Sequence, residues 1–333
     1  MARYHLVDAG QNAPVSSEIT GYAASVFSYL HSLTGETRYL DAADRAARYL
    51  MQTWDSGAST VPFEPGSPLA YFFDLGIIVR GLLAAWRLTG EPEFFDRARD
   101  AALSMALDFL GEGVFHAVIS LPEKQPLPCE PRWSRAPGCY QLKAALAWLE
   151  LGDDGARKLY DAVLKHSLAA HEAFLYAESD RKKQMDRLHA YAYFLEGLLP
   201  AVDREPARGA LANGIGVATR LFREIAPEFE RSDVSAQLLR LRLIAHHCGV
   251  LEMDQESAQD EVRRIQSFQA LDDPRPQIRG GFYFGRRGGE MLAYVNPVST
   301  AFCLQALEFW DRHMSFLDRP AAGRWAFDLR QLI

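Results

Sequence analysis

The sequence predicts an all-α protein built from helical hairpins, on three observations. Apolar helical segments alternate along the chain with amphipathic ones, the first hairpin recurs further on, and the connections alternate between short and long. The repeat is explicit. LTGETRYLDAADRAA from Leu33 matches LTGEPEFFDRARDAA from Leu88, pairing Gly35 with Gly90, Tyr39 with Phe94, Asp41 with Asp96 and Ala46 with Ala101.

Taken in order, residues 21–33 (GYAASVFSYLHSL) form a first apolar helix and 36–52 its amphipathic partner, with only Thr34 and Gly35 between them. Further apolar helices are expected to begin near Phe73, Gly138, Leu188, Asp233 and Asn296. The first four of these are each followed by a short turn and a more polar helix, near Glu91, Asp154, Glu205 and Glu252. Six apolar helices thus alternate with five amphipathic ones, and a helix apolar most of the way round must be buried most of the way round. Four returns from polar to apolar helix are expected to be long, at 53–71, 111–137, 173–186 and 271–295. In an up-down array they emerge at one end, and their Trp, Phe, Tyr and Pro residues make them ordered walls of a cleft.

The last apolar helix follows a glycine-punctuated aromatic stretch, RGGFYFGRRGGEMLAYVNP from Arg279. Phe282, Tyr283 and Phe284 on one side of Arg286-Arg287-Gly288-Gly289, and 291–295 on the other, read as a small β-hairpin. Asn296 then caps the helix and Pro297, lacking a donor, fits its first turn.

Without a low-complexity linker, 333 residues are expected to form one domain, with 1–20 and 317–333 covering the seam beside the unpaired last helix. The composition, 48% hydrophobic and 24% charged, is that of a soluble globular protein. A net charge of −7, with no basic run longer than Arg181-Lys182-Lys183, argues against a nucleic-acid partner. No segment has signal-peptide or membrane-spanning character, so no membrane partner and a cytoplasmic location are expected. Cys129, Cys139, Cys248 and Cys303 show no CxxC spacing, and reduced thiols are the default. His246 and His247 with Cys248 and Cys303 are the one conceivable zinc set. GGFYFG and GRRGG lack the strand-to-helix setting of a phosphate loop, and no cofactor is expected.

Six buried helices inside a ring of amphipathic ones, with the LTGE hairpin turns, FFDLGIIVRGLLAAW from Phe72 and RGGFYFG from Arg279, resemble the (α/α)6 toroid of the six-hairpin glycosidase-like superfamily. Unsaturated glucuronyl hydrolases and N-acylglucosamine 2-epimerases are similar in these features. The resemblance implies a carbohydrate-active enzyme. It also exposes departures: glucuronyl hydrolases place aspartates at two inner-helix starts, and here Asp74 fits one whereas the third inner helix opens with CYQLK. The epimerases use a histidine pair, and only His189 stands near an inner-helix start.

In a toroid the first turns of the inner helices face one cavity. They carry Glu18 and Tyr22, Asp74, Gln141 and Lys143, His189 and Tyr191, Asp233 and Gln237, and Asn296 and Thr300. In the hydrolase reading Asp74 and Asp233 are the carboxylate pair, with Glu18 as substitute, spaced for inversion. In the epimerase or isomerase reading His189 is the base, held in one tautomer by Asp186, while Lys143, an arginine or a tyrosine steadies the enolate. A non-catalytic glycan-binding toroid is the third reading. Each residue also has a structural role to weigh. Asp74, Asp233 and Asn296 suit capping, Lys143 suits a rim position with its ammonium in water, and His189 suits a satisfied core. Arg275, Arg279, Arg286 and Arg287 beside Tyr283 and Tyr294, with Arg132, Trp133 and Arg135 from the 111–137 loop, suit stacking on a sugar and pairing with an anionic group. Asp272, Asp273, Glu130 and Glu178 nearly balance those bases.

Overall fold

A computed structural model describes residues 1–111, 115–128, 132–318 and 327–333. Cys129, Glu130 and part of the expected closing tail lie outside the described residues. Eleven α-helices are described: α1 (Ser17–Thr34), α2 (Thr37–Gln52), α3 (Phe72–Thr89), α4 (Pro92–Asp108), α5 (Leu142–Leu151), α6 (Ala156–Tyr176), α7 (Arg181–Leu198), α8 (Ala207–Ile225), α9 (Ser232–His247), α10 (Gln255–Ser267) and α11 (Pro297–Asp318). The strands are short: β1 (His5–Leu6), β2 (Gln11–Asn12), β3 (Leu69–Tyr71), β4 (Val118–Ser120), β5 (Phe229–Arg231), β6 (Gly285–Arg287), β7 (Glu290–Met291) and β8 (Tyr294–Val295). The chain forms two compact units, one of residues 1–3, 14–170 and 333, the other of 4–13 and 171–332.

The repeat is a repeat of helix ends. Gly35 and Gly90 sit after α1 and α3 in the left-handed conformation, φ 70° and 77°, and each N–H closes on a carbonyl of the last turn, His31 and Trp86. Gly152 ends α5 in the same way, bonding to Trp148. Only glycine enters that region without a Cβ penalty, which is why the hairpin signature carries it.

In the first unit α1 pairs with α2 and α3 with α4, and α3 also packs on α1 and α5. The contact between these apolar helices is backbone on backbone. A Cβ built on Gly81 would lie 2.5 Å from the Gly21 carbonyl oxygen, and one on Gly76 2.5 Å from Ala144 Cα. At the head of α3, β3 pairs antiparallel with β4, and Phe72 packs edge-on against Phe109, Phe115 and Trp148. Further along, Arg80 and Arg87 share the buried Glu150 carboxylate at 2.6 and 2.8 Å.

In the second unit α7 pairs with α8 and α9 with α10, and α9 packs on both α7 and α11. Buried Arg240 joins Glu196 of α7 to Gln305 of α11 and lies 4.2 Å from the Phe302 ring centroid. A hairpin is present with other bounds than expected: β6 and β7 are joined by Gly288 and Gly289, both at positive φ, so Arg286 and Arg287, expected in the turn, belong to a strand, and β6 also pairs with β5. A further three-stranded sheet has the order β2-β1-β8.

One connection differs from expectation. The return expected over 173–186 shrinks to 177–180, because α6 runs on to Tyr176 and α7 starts at Arg181. The Asp180 side chain accepts from the Lys182 and Lys183 N–H groups, so the basic run is a capped, exposed first turn. His189 therefore lies two turns inside its helix.

The glycine contacts predict opposite signs for the same substitution. Gly81→Ala should destabilise by about 1–3 kcal/mol, since the backbone it meets cannot move aside cheaply. Gly216→Ala on α8, where a Cβ meets nothing within 4 Å, should stabilise by about 0.5–1 kcal/mol. Urea unfolding midpoints of the two variants check both.

Candidate active site

Two polar clusters are built from the predicted residues, one in each unit. In the first, Ser16 caps α1 through Ile19 N–H, which places Glu18 in the first turn. Asp74 is in the first turn of α3, which follows β3 without a break. Asp74 is only 8% exposed, and its Oδ2 has no hydrogen-bond partner among the described residues. Burial, then the neighbouring Glu18 charge, push the Asp74 carboxyl well above its ordinary value, with Arg3 opposing. Glu18 is pushed up to about 7 by burial, against the pull of Arg3 and Lys143. Helix N-termini lower carboxyl pKa values, and here desolvation overrides that field. Two interacting carboxyls raised together retain a proton where surface acids have lost theirs.

Tyr140 and Gln141 occupy a short 3-10 turn before α5. Gln141 donates to the Tyr140 hydroxyl at 2.7 Å, and its buried Oε1 has no partner among the described residues. Burial and the charge of Asp74 raise the Tyr140 phenol well above its ordinary value. Trp133 is half-buried and meets Tyr140 edge-on at 5.2 Å, and Phe73 lies 5.7 Å from the same ring. Lys143 is fully buried, contrary to the rim position expected for it. It donates to the Ile333 carbonyl at 2.9 Å and lies 5.4 Å from the ring of Tyr22. The α1–α3–α5 approach is too close to leave that ammonium in water.

In the second unit Asp233 is a clamped acid. Arg231 grips it through Nε to Oδ1 at 2.9 Å and Nη2 to Oδ2 at 2.7 Å, and Ser299 donates to Oδ2 at 3.2 Å. Burial pushes this carboxyl up, but Arg231, His189 and the two donors together outweigh it and leave it below its ordinary value. The other arm of Arg231 pairs with Asp186 at 2.7 Å, so Asp186 does not hold His189 as the sequence suggested. A guanidinium fork is the better partner for two carboxylates than a ring nitrogen. His189 Nδ1 instead lies 2.8 Å from Gln237 Oε1, and Gln237 Nε2 lies 3.4 Å from the His189 carbonyl oxygen. Tyr193, one turn on, packs edge-on against the imidazole at 4.5 Å.

Tyr191 is turned away from His189. Two positions along a helix are about 200° apart, and its hydroxyl meets His171 at 3.3 Å beside Gly214. Asn296 is a cap, accepting from the Val298 and Ser299 N–H groups. Thr300 accepts from the Phe282 N–H. Tyr283 packs on a cluster of Val7, Ile278 and Val295. Of the arginines sent toward the site, Arg275 is held by Asp273 at 2.7 Å and Arg286 by Glu230 at 3.0 Å. Arg279 is exposed and has no ion pair among the described residues. The zinc set is not assembled: Cys303 Sγ faces the Ser232 carbonyl, and no group of three or more His, Cys, Asp or Glu is placed to hold a metal among the described residues. Arg231 and Tyr140 were missed as site residues. An Arg-Ser-Asp run entering an apolar helix was the available signal for the first.

The raised carboxyls set a pH dependence. Glu18 binds its proton more tightly folded than unfolded, so from its ordinary value of 4.5 up to about 7 the folded state loses stability as pH rises. Asp74 adds the same sign. Glu18→Gln should therefore gain melting temperature relative to the parent as pH is raised through that window, and parallel curves would contradict the shift. Arg231→Met should cost about 3–5 kcal/mol by leaving a buried unpaired charge. Adding Asp233→Asn to it should recover much of the loss in urea midpoint.

No protein-family model matches the chain, and no curated protein matches it. Its structure is similar to a sugar epimerase from a ruminal bacterium, at 14% identity and TM-score 0.67 over 92% of this chain and 91% of that one. It is similar to the cellobiose 2-epimerase of Spirochaeta thermophila, at 14% identity and TM-score 0.68 over 90% and 87%. A GH76 α-mannanase from Bacteroides thetaiotaomicron matches at 11% identity and TM-score 0.62 over 92% and 89%. These likenesses establish the fold, the all-α six-hairpin (α/α)6 toroid class. No described helix is long and apolar enough to cross a membrane.

Proposed function

We propose that the chain is a carbohydrate-active enzyme of hydrolytic type in which Glu18 and Asp74 transfer protons to and from the substrate. The observation that carries this reading is the carboxyl pair at the heads of α1 and α3, Asp74 buried and Glu18 half-buried, both members raised. The protonated member donates to a leaving oxygen and the ionised one activates water. Glu18, held in reserve by the sequence, replaces Asp233, whose bidentate arginine keeps it ionised and occupied. The epimerases and the mannanase among the similar structures support a sugar as substrate class.

An uncharged sugar fits better than an acidic one. Asp74 Oδ2 and Gln141 Oε1 are buried acceptors that lack donors among the described residues, and sugar hydroxyls supply donors. Four of the guanidinium groups that would take a carboxylate are committed within the chain, Arg3 to Glu64, Arg231 to Asp233 and Asp186, Arg275 to Asp273 and Arg286 to Glu230, and Arg279 is exposed.

A second reading, a sugar epimerase or isomerase with His189 as base, is favoured by the fixed orientation of that imidazole against Gln237. The two readings are separable. Glu18→Gln and Asp74→Asn should each lower turnover of neutral oligosaccharides by about 10²–10⁴, with melting at acidic pH unchanged. Solvent deuterium appearing at carbon in recovered sugar, with turnover insensitive to both substitutions, would move the assignment to His189.

A further inference from the structure

We propose that Gln237 is a positioning residue that holds His189 as its Nδ1–H tautomer, so that Nε2 carries the lone pair and is the proton-accepting nitrogen. This deepens the second reading above and rests on it only for its catalytic use; the tautomer itself follows from the geometry. A glutamine amide has one donor end and one acceptor end. Gln237 Nε2 lies 3.4 Å from the His189 carbonyl oxygen, which can only accept. The amide oxygen is therefore the end that faces the imidazole, 2.8 Å from Nδ1. Reversing the amide would replace that attraction by oxygen facing oxygen at the carbonyl, which is repulsive. An oxygen can only accept, so Nδ1 carries the proton, and in a neutral imidazole Nε2 is then unprotonated.

The surroundings explain why an amide stands here in place of a carboxylate. From α9 come Gln237, fully buried, and Asp233, whose Oδ2 is 3.7 Å from Nδ1 and beyond hydrogen-bond reach. From α11 come Ser299, bonded to Asp233, and the Phe302 ring, 6.5 Å from the imidazole. Tyr193 covers an edge from α7 itself. Arg231, at the end of β5, meets the Asp233 charge at 2.7 and 2.9 Å and so reduces its pull toward an imidazolium. Gln237 orients the ring without adding charge, whereas a carboxylate in its place would orient the ring and favour its charged form.

The test uses the full chain labelled with ¹⁵N-histidine, with long-range ¹H–¹⁵N spectra at neutral pH and His189 assigned by loss of its signals in His189→Gln. The expected result is a protonated Nδ1 and an unprotonated Nε2 in the parent. Gln237→Leu should lose that preference while melting as a folded protein. Gln237→Glu should restore the Nδ1 proton and raise the imidazole pKa by about 1–3 pH units. An Nε2-protonated His189 in the parent overturns the proposal, as does an unchanged tautomer in folded Gln237→Leu. If Gln237→Leu does not fold, the parent spectrum together with Gln237→Glu decides. Absence of deuterium exchange into sugar would remove the epimerase reading and leave the tautomer result standing, so the two failures are distinguishable.

Discussion

The first unit depends on how closely α1, α3 and α5 approach. Gly21 against Gly81 and Gly76 against Ala144 bring these helices together at backbone contact, leaving no room for side chains at the crossings. Glu18 lies one turn before Gly21, Asp74 two residues before Gly76, and Gln141 and Lys143 three residues and one residue before Ala144. A single packing constraint thus gathers polar first-turn residues from three sequence-distant helices and removes them from water. The raised carboxyls and the buried lysine are consequences of that geometry. Had the crossings been spaced by leucines, the same residues would be solvated and chemically ordinary.

The two clusters show two ways to bury an acid. In the second unit Asp233 is given a bidentate guanidinium and a serine hydroxyl, and its charge is stable. In the first, Asp74 has an oxygen with no partner among the described residues and a second carboxyl as neighbour. Burial without compensation is unfavourable for folding, and such groups persist where the strain has a use, which is why the carboxyl pair, and not the ion pair, is the better candidate for proton transfer.

The helices were legible because their signals are local. Glycine ends, the Asn-Pro start of α11, the Gly-Gly turn and the alternation of apolar and amphipathic segments each act within a few residues. The return before α7 was misjudged because Asp180 and the basic run that follows look like a loop until the capping bonds are seen. Site partners were less legible, since they are matters of reach. Asp186 stands three residues before His189 in sequence, yet its carboxylate goes to Arg231, 45 residues away. Tyr191 shares a tripeptide with His189 but not a helix face. Lys143 was expected in water because nothing in the sequence reports how closely α3 and α5 pack.

The charge state of a first-turn acid can be traced to the residue just before its helix. Tyr71 and Arg231 are both the last residue of a short strand and the cap of an apolar helix, with φ, ψ of −118°, 134° and −114°, 133°. Neither uses its side chain to cap. The two junctions share a backbone conformation, but Asp74 stands three residues after its cap and Asp233 two, about 100° apart around the helix, and the cap side chains differ as well. A tyrosine has no cation to give, so Asp74 is left to desolvation and to the Glu18 charge. An arginine reaches forward two residues and holds Asp233 ionised. The chemistry of the two junctions thus depends on where the acid stands in the first turn and on which neighbours reach it, Glu18 and Arg3 for Asp74, Arg231, His189 and Ser299 for Asp233, a distinction invisible to helix periodicity.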